Sequence, residues 1–425
     1  MFSARTVSWL AAIAIGIGAW VYIVKSPPPA TPDARAAVDH SHSAHPAGAP
    51  ATSSVGPPVP IITTTFDNNG VLYAAEARGM TVTVSTSRDA GAAFSAPVVL
   101  TPEPESPDAD GEARPKVVIG QNGEVLVSWT RKGQALHTGD IRFARSTDGG
   151  RTFSVPTTIN DDGLAVGHRF DSLGVAPDGT VTLAWVDNRD LDRASRTGAD
   201  YVGAAVYIAT SSDGGGTFTA NRKVKDHSCE CCRLAMAFDA DSTPVLFWRD
   251  VLPGGIRDHV VVRVTAGDAP VASERVGHEN WVTDACPHHG PALAIAPSQR
   301  YHFAWFTGAE STGSGVFYAH SDDRGKTTSP PVRLGTGGLA GHPSMVSTRD
   351  GLWLAWKEWR DDGGTAVLVM RSQDDGATWS AAREVATAPG SSDRPFLLAR
   401  GDAVLLSWTD PRGLRVLPVS PSSLP

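Results

Sequence analysis

STDGGRTF (146–153) and SSDGGGTF (211–218) are near-copies of one another, and a strand-like run, IRFARS, leads into the first. The shared pattern is S-x-D-x-G-x-[TA], usually followed by an aromatic residue. It returns in SRDAGAAF (87–94), SDDRGKTT (321–328) and SQDDGATW (372–379). The Asp can accept backbone N–H bonds across a turn, the Gly supplies a positive φ, and the aromatic can pack beneath the hairpin. Five turn-builders of one design in 425 residues predict a repeated antiparallel unit.

A second periodicity is independent of the first. Strand-like runs ending VLVSW, VTLAW, VLFW, YHFAW, LWLAW and VLLSW place Trp129, Trp185, Trp248, Trp305, Trp356 and Trp408 at intervals of 56, 63, 57, 51 and 52 residues. Tyr73 holds the equivalent place in an earlier unit, which makes seven. The unit of Trp248 has only a degenerate turn, TAGDAPVA (265–272), and the last unit lacks a fourth strand, which a segment near Val55 to Val59 is expected to supply. Composition agrees: 43 Gly, 31 Pro and 19% charged residues suit short strands and tight turns rather than helices. The expected class is all-β, a propeller of four-stranded antiparallel blades, seven in number, with six the alternative.

The five turns resemble the Asp-box (BNR) repeat of sialidase-like β-propellers, and GVLYAAEAR (70–78) resembles the second strand of the first blade in that family. The resemblance runs from about residue 58 to 420. It implies that the Asp boxes lie at the blade periphery and are structural. Catalytic sialidases have six blades, so seven units depart from that pattern.

The N-terminus MFSARTVSWLAAIAIGIGAWVYIVK carries Arg5 ahead of an apolar run from Val7 to Val24, about 18 residues and so near the minimum for crossing a bilayer. Lys25 and Pro27-Pro28-Pro29 follow without a small-residue cleavage site, which favours an uncleaved anchor over residues 1–25. Positive charge on the cytoplasmic side then sends the remainder outward, to the periplasm or the extracellular space. Residues 26–57, rich in Pro, Ala and Ser, read as a disordered tether, leaving 58–425 for the propeller. His40, His42 and His45 in that tether are either a weak transition-metal site or a solvated polar stretch. A net charge of −8 without a basic run makes nucleic acid a poor partner.

In a propeller the innermost strands begin at one mouth of a central channel. Counting back 14 to 16 residues from each recurrent Trp gives Arg114, Arg169, Cys232, His289, His342 and Arg394, all polar or reactive, and all expected near the axis. Two long segments, 186–203 and 249–259, are expected to open on the same face as loops. They carry Asp187, Arg189, Asp190, Asp192, Arg193 and Asp250.

DHSCECCR (226–233) holds three of the four cysteines, and DACPHHGP (284–291) holds Cys286 beside His288 and His289 at the start of the next unit. Two readings stay open. Exported cysteines can form two disulfides, although a bridge between Cys231 and Cys232 would be strained. Alternatively Cys229, Cys231, Cys232 and Cys286, with His288, His289 and His342, form a soft-metal site for copper or zinc, copper being favoured by sulfur with imidazole. The pairing of C-x-C-C with C-P-H-H-G-P also resembles bacterial proteins grouped as sialidase-like for their repeats.

Three functions are compatible with these features. The first is a membrane-tethered periplasmic propeller with a Cys/His centre for metal binding or thiol redox chemistry. The second, implied by the family, is a sialidase-like glycoside hydrolase using Arg114, Arg169 and Arg394 for a substrate carboxylate; Asp187 and Asp250 are further catalytic candidates, but they do not make a convincing pair of glycosidase carboxylates. Against it, the family's late tyrosine nucleophile has no counterpart, because no tyrosine follows Tyr318. The third is a binding platform without chemistry, with a periplasmic protein as partner. Across these, the ligand at the mouth is a small molecule, a glycan or a metal ion.

Overall fold

The computed structural model describes residues 59–419 except 110, 268–270 and 336–338. The apolar run at 7–24, the histidines at 40, 42 and 45 and residues 55–58 lie outside the described residues. Among the described residues no helix is long and apolar enough to cross a membrane.

Seven antiparallel sheets succeed one another along the chain, six of four strands and a last one of three. The first strands, Ile62–Phe66, Lys116–Ile119, His168–Val175, Ala235–Phe238, Ala292–Ile295, Leu339–Thr348 and Phe396–Arg400, touch in succession, and the seventh returns to the first. This is a closed seven-bladed propeller. Val59 is not in a strand, so among the described residues blade 7 keeps three strands and no N-terminal strand completes it.

Each blade is covered on both faces by its neighbours, which explains why second strands such as Val125–Lys132 and Val181–Asp187 read as apolar runs rather than as alternating patterns. The six recurrent tryptophans lie in these strands and are at most 1% exposed. A buried indole N–H needs an acceptor. Trp129 donates to Glu105 at 2.7 Å, Trp185 to Asp187 at 2.8 Å, Trp305 to Glu279 at 3.2 Å, Trp356 to Glu358 at 2.8 Å and Trp408 to the Asp393 carbonyl at 2.8 Å. Trp248, in blade 4, has no such acceptor among the described residues.

The Asp boxes form as expected. In blade 2, Ser146 donates to Asp148 Oδ1 at 2.7 Å, Gly150 N–H donates to Ser146 Oγ at 2.9 Å, and Thr152 donates through N–H and hydroxyl to the two Asp148 oxygens at 3.0 and 2.6 Å. These bonds hold the Asp148 carboxyl well below the usual carboxylate range. The aromatic position behaves differently from the expectation: it packs on the preceding blade, Phe218 against Phe143 and Trp379 against Tyr318, both at 4.9 Å between ring centres. The box glycine leans the same way. A Cβ on Gly150 (φ 82°) would stand 3.2 Å from the Tyr73 ring of blade 1, and one on Gly91 (φ 94°) would stand 3.0 Å from Val416 of blade 7. A side chain there would be strained by backbone and neighbour together.

One segment expected as a loop is partly helical. Within 186–203, Arg189–Thr197 forms α1, the one helix among the described residues, with Asp190 and Asp192 in its first turn, Arg196 in its last and Gly198 (φ 71°) ending it.

Ser146→Ala should cost about 1–2 kcal/mol by removing the turn bonds of its hydroxyl, of which the one from Gly150 N–H is buried, whereas Trp129→Ala in the same blade should cost about 3–5 kcal/mol through the cavity it leaves. Urea unfolding of both variants checks the order. A turn variant as damaging as the core variant would show that the box does more than close its hairpin.

Candidate functional site: a thiol cluster beside a charged axis

The segment 229–234 links the outer strand of blade 3, Arg222–Ser228, to the inner strand of blade 4, Ala235–Phe238. Its path is fixed by Cys229 N–H donating to the Arg249 carbonyl at 3.1 Å. Cys229 Sγ lies 3.6 Å from Sγ of both Cys231 and Cys232, and the three sulfurs lie within 4.8 Å of one another. They are at most 6% exposed and belong to the apolar core between blades 3 and 4. Cys286, only partly buried, packs against the same core, and Cys231 is the neighbour that most lowers its thiol. All four cysteines are free thiols.

Two arginines from the loop 249–259 reach the sulfurs. Arg249 Nη1 donates to Cys232 Sγ at 3.0 Å, with its Nη2 held by the Phe306 carbonyl at 2.8 Å, and Arg257 Nη1 donates to Cys229 Sγ at 3.3 Å. Hydrogen bonds from Cys231 and Cys232, opposed by burial and helped by Arg249 and Arg257, hold the Cys229 thiol well below its ordinary range. The same bonds push the Cys231 and Cys232 thiols up. The arrangement favours thiolate character at Cys229 over Cys231 and Cys232, and a thiolate sulfur is a soft ligand and a nucleophile. The sequence placed the thiols together, but Arg249 and Arg257 carry no cysteine-adjacent signal and were missed.

A second constellation lies on the axis. Glu112, 1% exposed, receives Arg233 Nε at 2.7 Å, Arg394 Nη1 at 3.0 Å, His342 Nδ1–H at 3.0 Å and the Gly290 N–H at 3.4 Å. Burial raises its carboxyl, but Arg233, and then the His342 hydrogen bond, hold it down at about 2. His289 stacks between Phe306 and His342, at ring distances of 4.2 and 4.4 Å, with Nδ1 buried and unpartnered among the described residues. Burial holds the His289 imidazole well below its ordinary range and lowers that of His342 against the opposing pull of Glu112, hence both are neutral at pH 7. Lys357, pushed down to about 8 by burial against the opposing pull of Asp393, donates to the Ser392 carbonyl and lies over the Trp359 ring.

Four of the six residues expected at the axis, Arg114, His289, His342 and Arg394, are gathered around Glu112 and Asp393. Cys232 stands beside them through Arg249, and Arg169 pairs instead with Asp108 at 2.6 Å. Histidine and sulfur separate into two groups: His288 tilts over Phe170, and neither His289 nor His342 joins the three-thiol set. The arginines of the glycosidase expectation are already neutralised, Arg114 by Asp393 in a two-pronged pair, Arg169 by Asp108 and Arg394 by Glu112. Asp187 accepts from Trp185 and Arg189, and Asp250, raised to about 6 by burial, pairs with Lys225 at 2.8 Å. A further group, Asp162, His168 and Asp187, encloses the Arg189 guanidinium, which already supplies the cation.

No family model matches the chain, and no curated protein matches it. Among solved structures, a protein of unknown function from Dyadobacter fermentans DSM 18053 superposes with a TM-score of 0.51 at 15% identity, covering 72% of this chain and 92% of that one. A polysaccharide lyase, an ulvan lyase, gives 0.54 at 10% identity over 85% of this chain and 93% of its own. A Hadza microbial sialidase gives 0.48 at 15% identity over 83% and 76%. At such identities the likeness is one of fold: the chain has the propeller scaffold.

Glu112→Gln leaves two buried guanidiniums short of a charge partner and should cost about 3–5 kcal/mol. Because the folded carboxyl is depressed, its contribution is present above the unfolded value of 4.5 and disappears as pH falls toward 2. The stability gap between wild type and variant should therefore close over that window in acid unfolding curves. A pH-independent gap would assign the loss to packing instead.

Proposed function

We propose that the chain is a membrane-tethered propeller whose junction between blades 3 and 4 is a soft-metal thiolate centre, with copper(I) as its ion. The observation that carries the reading is three buried sulfurs within 4.8 Å of one another under two guanidiniums. Cys229, Cys231 and Cys232 would hold the ion, since thiolates favour copper(I) over hard cations. Three thiolates around a monovalent ion leave two negative charges, and Arg249 and Arg257 offset two. A divalent ion would leave the buried site with excess positive charge, and zinc would ask for a fourth ligand. The apolar run at 7–24 and the tether at 26–57 are proposed to hold the propeller in the periplasm or extracellular space, where a buried, arginine-backed site protects thiolates that oxidation would otherwise consume. An anionic carbohydrate at the axis has less support, because Arg114, Arg169 and Arg394 each already contact a carboxylate.

The test is titration of the reduced full chain with copper(I) against a chromophoric chelator. One equivalent should bind, Cys231→Ser should weaken it by at least about a hundredfold, and His289→Ala should leave it unchanged. Zinc binding more tightly than copper(I) under the same competition, or equal loss in both variants, would overturn the assignment.

Hydrolysis of a fluorogenic sialoside should stay at the uncatalysed rate, since no tyrosine follows Tyr318 and Arg394 is committed to Glu112. Turnover that disappears in Arg394→Ala would restore the glycosidase reading.

A further inference from the structure

Cys286 differs from the other three cysteines in exposure and in setting. It sits on the strand-free stretch between Ser273–Arg275 and Ala292–Ile295, where Val282, Asp284 and Ala285 are exposed to solvent. That stretch is pinned at both ends. Asp258 accepts the N–H groups of Asn280 and Trp281 at 2.9 and 3.2 Å, and Glu112 accepts the Gly290 N–H at 3.4 Å. Arg257 N–H donates to the Trp281 carbonyl at 2.7 Å while its side chain reaches Cys229, so the stretch and the thiol cluster share one anchor. Held this way, Cys286 packs against the core that contains Cys229, Cys231 and Cys232, yet it lies outside the three-sulfur set; of the three thiols, Cys231 acts most strongly on its own.

We propose that Cys286 is not a metal ligand but the oxidisable partner of Cys231, and that a Cys231–Cys286 disulfide switches the thiolate centre off. This rests on the copper(I) reading above. The co-reactant is a disulfide, either a small one or one on a partner protein. It meets the more exposed Cys286 first: the Cys286 thiolate attacks one sulfur, the co-reactant's S–S bond breaks and a thiolate leaves, giving a mixed disulfide. Cys231 then attacks the Cys286 sulfur, forming the internal bridge and releasing the second thiolate. Two electrons pass from the two cysteines to the co-reactant, and the two protons they lose end on the thiols released. The bridge removes one of three ligands and leaves Cys229 and Cys232, a weaker pair for a soft ion. Reduction by a dithiol reverses each step.

The experiment uses the full chain equilibrated in oxidised and reduced glutathione, which is then removed. Alkylation mapping reads the bridge, and chelator competition reads copper(I) affinity. Wild type should form the Cys231–Cys286 bridge reversibly and lose at least about a hundredfold in affinity when oxidised. Cys286→Ser should keep the reduced affinity and lose its response to oxidant. Cys232→Ser should lose copper(I) binding yet still form the bridge, which separates the pairing from the metal. A bridge between Cys229 and Cys232, oxidised protein that binds as tightly as reduced, or Cys286→Ser losing affinity as Cys231→Ser does would each overturn the proposal. A reversible Cys231–Cys286 bridge in protein that takes up no copper(I) at all would support the pairing and defeat the copper reading instead.

Discussion

A carboxylate removed from water must be matched by cations or given up as an acid, and Glu112 is matched by Arg233 from the start of blade 4 and Arg394 from the start of blade 7, with a hydrogen bond from neutral His342 of blade 6. Glu112 itself precedes blade 2, and the N–H it accepts from Gly290 precedes blade 5. One side chain therefore ties four other blades to the axis. Arg114, beside it, adds Asp393 and the Ile62 carbonyl, joining blades 7 and 1. The repeats specify identical wedges, and these ionic contacts between non-identical residues fix which wedge faces which.

The two sequence periodicities were enough for the architecture because both have a local physical cause. The box closes a hairpin with its own side chains, as Ser146 and Asp148 do, and the tryptophan fills the space between blades, as Trp185 does. Phase counting from the tryptophans also reached Arg114, His289, His342 and Arg394. Glu112 escaped because it falls in the irregular approach to blade 2, where neither period applies. Arg249 and Arg257 escaped for a different reason: their partners are sulfurs more than 15 positions away in sequence, brought close by the hairpin of the fourth sheet, where Ala235 pairs with Phe247, and by the bridge of Ser228 with Asp250. The same distance effect explains why adjacency misled for His288 and His289. They neighbour Cys286 along the chain, but the backbone at His288, with φ 50°, turns the two rings toward different surroundings.

The junction between blades 3 and 4 is also where the repeat rules lapse. Blade 4 has no Asp box, so the usual glycine does not press on blade 3, and Trp248 is the one recurrent indole without an acceptor among the described residues. Where the box glycine would press, Arg222 donates to the Gly267 carbonyl at 2.9 Å, and at the other end of the same outer strand, Arg222–Ser228, the cysteines pack with Phe170, Val206 and Leu246. Local rules broken together at one place, within a ring that otherwise keeps them, fit a site held for chemistry rather than for stability.

The three-stranded seventh blade carries a mechanical meaning. Where blade 7 meets blade 1, the described contacts are side-chain ones: Gly91 under Val416, Thr64 bonded to Ser407 at 2.7 Å, and Arg400 over Phe66. Among the described residues the chain itself joins every other pair of neighbouring blades but not this one. A ring opens first at its weakest seam, so amide protons flanking this boundary should exchange through local breathing at a lower free energy than those elsewhere. Counted around seven blades, the thiol junction lies almost diametrically across from that seam. Breathing at one edge would then leave the sulfur geometry undisturbed at the other.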